Sequence, residues 1–210
     1  MTVQLHCFGE SGNAYKAALT LELTGINWAP VFVDFFSGQM RSDAYRKLNI
    51  MAEAPVLIDG DFKLSQSGAI QQWAVDQSGR LGGVPQDKYE VLRWILFDNH
   101  KMSSQAGITR FLLNFLPEDK RPQEAIKFVQ NRMFGALKTL NTHLETRTWL
   151  VGKDMTIADI ANCGYLFYPE PYGFVRTDWP NIDKWLKQIE TTPGWKHPYD
   201  LMPGNPSDRV

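Results

Sequence analysis

Three short stretches hold residues whose types and spacing suit chemistry. Ser11-Gly12-Asn13 joins a strand-like run to a helix-like one, so a small hydroxyl meets a helix amino terminus and Gly12 allows a backbone or ligand to approach closely. No His or Asp stands at a spacing that would activate Ser11, and GESGN is not the G-x-S-x-G elbow, so this serine reads as a hydrogen-bond donor rather than a nucleophile. A capped turn explains it equally well. Ala54-Pro55 heads a strand-like run, and an X-Pro bond is the one place where a cis peptide is cheap. The cis form would turn the N–H and C=O of Ala54 outward, where an extended ligand backbone can pair; a trans edge-strand proline is the plainer alternative. Gln66-Ser67 opens a helix, where a hydroxyl, free backbone N–H groups and the helix dipole favour a carboxylate, or where Ser67 is simply a cap.

Other chemistries lack their residues. His6, His100, His143 and His197 are scattered singly, without paired ligand spacing, so no metal is expected. There is no P-loop, GxGxxG or CxxC, and Cys7 and Cys163 sit far apart in apolar runs, as reduced buried thiols do. With 22 basic and 23 acidic residues spread along the chain, neither nucleic acid nor an anionic membrane surface is an implied partner. The amino terminus lacks a basic region followed by an apolar one, and no segment approaches the roughly 18 apolar residues of a span, so a cytoplasmic location is expected.

The elements that must position these residues fall into two kinds. VQLHCF alternates like a strand, AYKAALTLEL has helical spacing stopped by Gly25, and WAPVFVDF is a strand that Pro30 pushes toward a sheet edge or bulge. A weakly periodic stretch over 41–48, the strand PVLID, a turn at Asp59-Gly60, the strand FKL and a helix over 67–76 follow. The order predicts a small α/β unit with a mixed sheet over residues 1–76. Polar, glycine-rich 77–84 reads as a linker, and 85–210 as an all-α domain. Its helices are expected over 87–115, 122–145, 156–167, 181–190 and 195–199. Thr156 and Asp159 form a capping box there, with Met155 and Ile160 as its hydrophobic staple. The run YLFYPEPYGF, rich in aromatics, suits either core or the wall of an apolar pocket.

Taken together, SGNAYK after the first strand, APVL at the start of the hairpin, LSQSGAI after it and LVGKDMTIADI in the helical half resemble a cytosolic glutathione transferase of the serine type, bacterial-like, over nearly the whole chain. The resemblance implies a thioredoxin-like amino-terminal domain that binds glutathione, a helical-bundle carboxy-terminal domain that supplies most of the second-substrate pocket, and a homodimer. Ser11 would hydrogen-bond the glutathione sulfur, with Asn13 as the alternative donor. Ala54, before a cis Pro55, would pair with the cysteinyl backbone, and Gln66 and Ser67 would hold the γ-glutamyl carboxylate. Met102, Ala106, Arg110, Tyr165 and Tyr168 are the candidates for the second pocket, from helical placement and chemistry. The expected activity is conjugation of the thiolate to a small apolar electrophile, or reduction of a peroxide or disulfide; the rival is a non-catalytic binding module that keeps the fold.

The energetics of the sulfur contact are adequate. A thiol with a pKa of ~8.5 needs ~2.7 kcal/mol of preferential binding to its anion to drop by about two units. One hydrogen bond to a charged group contributes about 1.5–3 kcal/mol and a helix amino terminus roughly 0.3–1. One departure from the family pattern stands out. Where relatives often read Asn-Pro-x-Gly followed by Lys, Arg or Gln, this chain has Asn49-Ile50-Met51-Ala52-Glu53. A carboxylate at Glu53 would repel the glycine carboxylate of glutathione if it pointed inward, with Gln39, Arg41 or Lys47 available to compensate.

Overall fold

The computed structural model describes residues 2–204, which divide into two compact units: 2–82 with 193–204, and Gly83–Thr192. In the first unit β1 (Val3–Cys7), α1 (Gly12–Thr24), β2 (Trp28–Phe32), α2 (Asp43–Leu48), β3 (Val56–Asp59), β4 (Phe62–Ser65) and α3 (Ser67–Ser78) follow one another in the expected order. The sheet runs β2-β1-β3-β4, with β1 parallel to β2 and antiparallel to β3. Alternation in VQLHC buries Val3, Leu5 and Cys7 on one face. Pro30 sits opposite Leu5 on β2, an edge strand, where a missing donor is tolerated.

Small residues let α1 pack closely: Ala14, Ala17 and Ala18 are fully buried, and Gly25 ends the helix at φ 77°. Gln71 on α3 donates to the buried Thr20 hydroxyl of α1 at 3.1 Å, which ties the two helices. The hairpin pairs Asp59 with Phe62, so its two central residues are Gly60 and Asp61, one position later than the sequence reading. Gly60 takes φ 60°, as a residue at the head of such a turn requires. α3 runs to Ser78 and is closed by Gly79 in the left-handed region, so the connection to the second unit begins there rather than at 77.

The second unit holds α4 (Lys88–Phe97), α5 (Ser104–Asn114), α6 (Gln123–His143), α7 (Ile157–Cys163) and α8 (Pro180–Glu190). The periodic stretch over 87–115 is not one regular helix, because a π-helical segment, Asp98–Ser103, separates α4 from α5. The Ser103 hydroxyl donates to Asp98 Oδ1 at 2.6 Å, a five-residue span that matches the widened turn. α7 begins on the Thr156 capping box. Asp159, at its third position, accepts from Leu150 N (2.9 Å), Thr156 N (2.9 Å) and Trp185 Nε1 (3.0 Å), so the cap also anchors α8. Burial pushes the Asp159 carboxyl up to about 6, against the pull of these donors.

The chain after Pro193, expected within the helical domain, packs with the first unit instead. Among the described residues its one helix, α9 (Pro198–Leu201), starts three residues later than expected, because Pro198 holds His197 out of the helical region and itself fits the first helical position.

Candidate functional site

Sheet register places the three sequence-selected stretches at one end of the first unit. His6 pairs with Val56, and Val56 with Ser65, so one row crosses β1, β3 and β4. Ser11 follows the carboxyl end of β1, Ala54-Pro55 precedes the amino end of β3, and Gln66-Ser67 follows the carboxyl end of β4. Antiparallel pairing puts all three just beyond that row.

Ser11 is the N-cap of α1, at φ −86° and ψ 105°. Its Oγ accepts from Ala14 N at 3.1 Å, which leaves the O–H proton to donate elsewhere. The side chain is 7% exposed, and its own N–H donates to Phe8 O at 3.1 Å, closing a tight turn over Phe8–Ser11. In the first turn of the same helix, Asn13 Oδ1 accepts from the ammonium of the buried Lys16 at 3.0 Å.

The Ala54–Pro55 bond is cis, and Pro55 is buried. The loop leading to it is built by two residues the sequence reading gave no such role. Asn49 Nδ2 (2.8 Å) and the Tyr45 hydroxyl (3.2 Å) both donate to Glu53 O, while Asn49 Oδ1 accepts from Met51 N at 3.0 Å. Burial raises the Tyr45 phenol to about 12, so it acts as a donor throughout the neutral range. A buried Asn placed just after a short helix was the only available signal.

Gln66, not Ser67, occupies the N-cap position of α3, and Ser67 is the first helical residue. Gln66 stands at φ 72°, a conformation that costs a residue with a Cβ of order 1 kcal/mol or more and that recurs at functional sites. Its Nε2 donates to Glu53 Oε2 at 2.9 Å and lies 3.2 Å from Met51 Sδ. Glu53 thus faces the start of α3. Gln39 is turned to its own loop, where Oε1 accepts from Asp34 N at 2.7 Å.

Four of the five residues selected for a second pocket are buried in the helical unit. Met102 and Ala106 are 2% and 0% exposed, and Arg110 and Tyr168 are also buried. Arg110 donates through Nε (3.1 Å) and Nη2 (2.8 Å) to Glu170 Oε2, with its guanidinium 3.8 Å over the Tyr168 ring. Tyr165 alone keeps a half-buried side chain. Helical spacing marks one face of α5 and its approach; it does not say whether that face meets a ligand or a neighbouring helix.

The chain's own sulfurs are poorly suited to chemistry. Cys7 and Cys163 are buried and form no disulfide, and burial pushes the Cys7 thiol up to about 12. Among the described residues no three His, Cys, Asp or Glu side chains gather as a metal ion would need, and no helix is long and apolar enough to cross a membrane.

The family model described as the glutathione S-transferase N-terminal domain matches residues 1–76, and that of the glutathione S-transferase C-terminal domain matches residues 104–193. A solved glutathione S-transferase from Pseudomonas fluorescens Pf-5 superposes with a TM-score of 0.88 at 28% identity, over 95% of this chain and 100% of that one. Glutathione S-transferase F9 of Arabidopsis thaliana is 24% identical over 196 residues, covering 86% of this chain and 89% of the relative. Elongation factor 1-gamma 3 of Oryza sativa subsp. japonica is 27% identical over 207 residues, covering 93% of this chain but 48% of that protein.

Proposed function

Because the chain belongs to the glutathione S-transferase family, we propose that it is an active glutathione transferase, with Ser11 as the donor that stabilises the thiolate. The observation that carries this reading is the convergence of Ser11, Ala54-Pro55 and Gln66-Ser67 at one end of the sheet. A tripeptide lying along that end takes its γ-glutamyl carboxylate to the Ser67 hydroxyl and the amino terminus of α3, pairs its cysteinyl backbone with Ala54, and brings its sulfur to Ser11. The Ser11 hydroxyl accepts from Ala14 N and still has its proton to donate, so capping and catalysis are compatible. Asn13 is the second available donor. With its carbonyl oxygen facing Lys16, the amide nitrogen is the end left for a sulfur.

Since neither buried cysteine is a suitable nucleophile, the reactive sulfur comes with the ligand. It attacks a small apolar electrophile by addition or substitution, or reduces a peroxide or disulfide, with glutathione as co-substrate and no metal. Glu53, held at Gln66, is read as facing the γ-glutamyl end, where it can accept from the ammonium, rather than the glycine carboxylate. Gln39, through its amide nitrogen, and Arg41 or Lys47 remain for that carboxylate. A homodimer is supported by Tyr89, Leu92 and Leu96, an exposed apolar stripe on α4 at helical spacing. A cytoplasmic enzyme fits cysteines that form no disulfide.

The similarity to elongation factor 1-gamma favours a second reading, a non-catalytic interaction module. Titration calorimetry with glutathione separates the two: saturable one-to-one binding supports the transferase, and no detectable heat at millimolar glutathione transfers the case to the module.

A further inference from the structure

The four-residue loop that carries Ser11 is held at three points, and only two belong to the domain's own sheet and helix. β1 ends at Cys7 and α1 begins at Gly12, and Phe8 to Ser11 between them are all buried. The third hold comes from nearly two hundred residues away. Gly9 N donates to Pro203 O at 2.7 Å, and a Cβ at Gly9 would stand 3.1 Å from Tyr199 Cδ1 and 3.2 Å from Gly204 O. A side chain here would make the Tyr199 ring or the Gly204 backbone give by a few tenths of an ångström.

The same segment is moored along α1. The buried Tyr15 donates its hydroxyl to Lys196 O at 2.9 Å, and Lys196 Nζ pairs with Glu22 at 2.6 Å. Leu201 and Met202 are buried, and a Cβ at Gly204 would meet the Phe32 ring of β2 at 2.6 Å. The strap is therefore built into the first unit rather than lying loosely on it.

Its point of contact matters geometrically. Ser11 N donates to Phe8 O, so Gly9 and Glu10 are the central residues of the turn that presents Ser11. A displacement of Gly9 rotates that turn and moves the residue at its end. A hydrogen bond to a thiolate loses strength over a few tenths of an ångström and a few tens of degrees.

We infer that the carboxy-terminal segment from Pro193 to Gly204 is a positioning element for Ser11, acting through the Pro203 carbonyl bonded to Gly9 N and the Tyr199 ring that lies beside Gly9. Tyr199 is thus a positioning residue, and this assignment rests on the reading of Ser11 as the thiol's donor. Pro203 contributes through a backbone carbonyl that substitution does not remove, which leaves Tyr199 as the side chain to change.

The test measures the pKa of the bound glutathione thiol, kcat and KM for glutathione, and thermal stability in wild type, Ser11→Ala, Tyr199→Phe, Tyr199→Leu and Tyr199→Ala. Tyr199→Phe keeps the ring and behaves as wild type. Tyr199→Leu and Tyr199→Ala raise the thiol pKa by about half to one unit and lower kcat several-fold near pH 6.5. KM for glutathione stays within about twofold, because the grip on the tripeptide is assigned to Gln66 and Ser67 and not to the loop that Tyr199 borders. Should Tyr199→Ala not fold, Tyr199→Leu decides alone, since it keeps an apolar group at a half-buried position. A folded Tyr199→Leu with the wild-type thiol pKa overturns the inference while Ser11→Ala still shifts it; lower stability without that shift is a purely structural role. If Ser11→Ala itself leaves the thiol unmoved, the reading of Ser11 fails first and the strap's role with it.

Discussion

Gln66 Nε2 and Glu53 Oε2 lie 2.9 Å apart, so the residue before the Ala54-Pro55 pair and the residue before α3 are joined side chain to side chain. This contact turns the one acidic departure from the family pattern toward the start of α3, the end proposed for the γ-glutamyl group. It also gives Glu53 a sign that can be measured. Glu53→Gln is expected to weaken glutathione binding three- to tenfold, about 1 kcal/mol, with kcat unchanged. If Glu53 instead opposed the glycine carboxylate, the same substitution would tighten binding, and calorimetry reads the direction at once.

Gln66 at φ 72° is a conformation that glycine adopts freely. Gln66→Gly is therefore expected to leave thermal stability equal or slightly higher while raising KM for glutathione about tenfold, through loss of the amide. Denaturation midpoints and steady-state kinetics on the same preparation separate the two effects. A stable variant with unchanged KM removes Gln66 from the γ-glutamyl clamp.

Asp159 accepts from two backbone N–H groups and an indole, all buried. Asp159→Ala leaves those donors unpaired and is expected to cost about 3 kcal/mol or more, seen as a lower urea midpoint at unchanged slope. The pH dependence has a definite sign. Burial raises the folded-state carboxyl to about 6, above the ~3.9 of an unfolded chain, so the folded protein holds its proton more tightly. This group's stabilising contribution is full below about pH 4 and is lost as pH rises through about 6. Urea titrations at several pH values should show that fall in wild type and its absence in Asp159→Ala.

Arg110 is 2% exposed and spans Glu170 and the Tyr168 ring. Arg110→Met is expected to destabilise by about 2–3 kcal/mol, less than a fully buried pair because Glu170 keeps some access to water. Pairing it with Glu170→Gln should recover part of the loss. A changed electrophile preference at wild-type stability would restore Arg110 to the pocket.

How much of this was legible in the sequence depends on how local each signal is. Alternation in VQLHC, the alanines of α1, the Gly25 stop and the Thr156–Asp159 box are contained within a few residues, and they fixed element order and type. Ser11, Pro55 and Gln66 could be named because their chemistry is tied to a strand or helix end. The direction of Glu53 was hidden, since it depends on Ala52 at φ 53° and Gln66 at φ 72°, backbone states that neither residue type announces. The hold of Pro203 on Gly9 has no local signature. Met102, Ala106 and Arg110 are buried in the helical unit, and whether a ligand reaches that face was not legible, because helical periodicity reports burial and not what does the burying.

Ser11 is assigned to lower the pKa of the glutathione thiol, and ultraviolet titration of the thiolate in the bound complex reads that shift. Wild type should show the bound thiol about two units below the free value of ~8.5, and Ser11→Ala should return it by at least one unit, with kcat at pH 6.5 falling at least tenfold. A Ser11→Ala protein that binds glutathione with the wild-type thiol pKa and turnover would contradict the account.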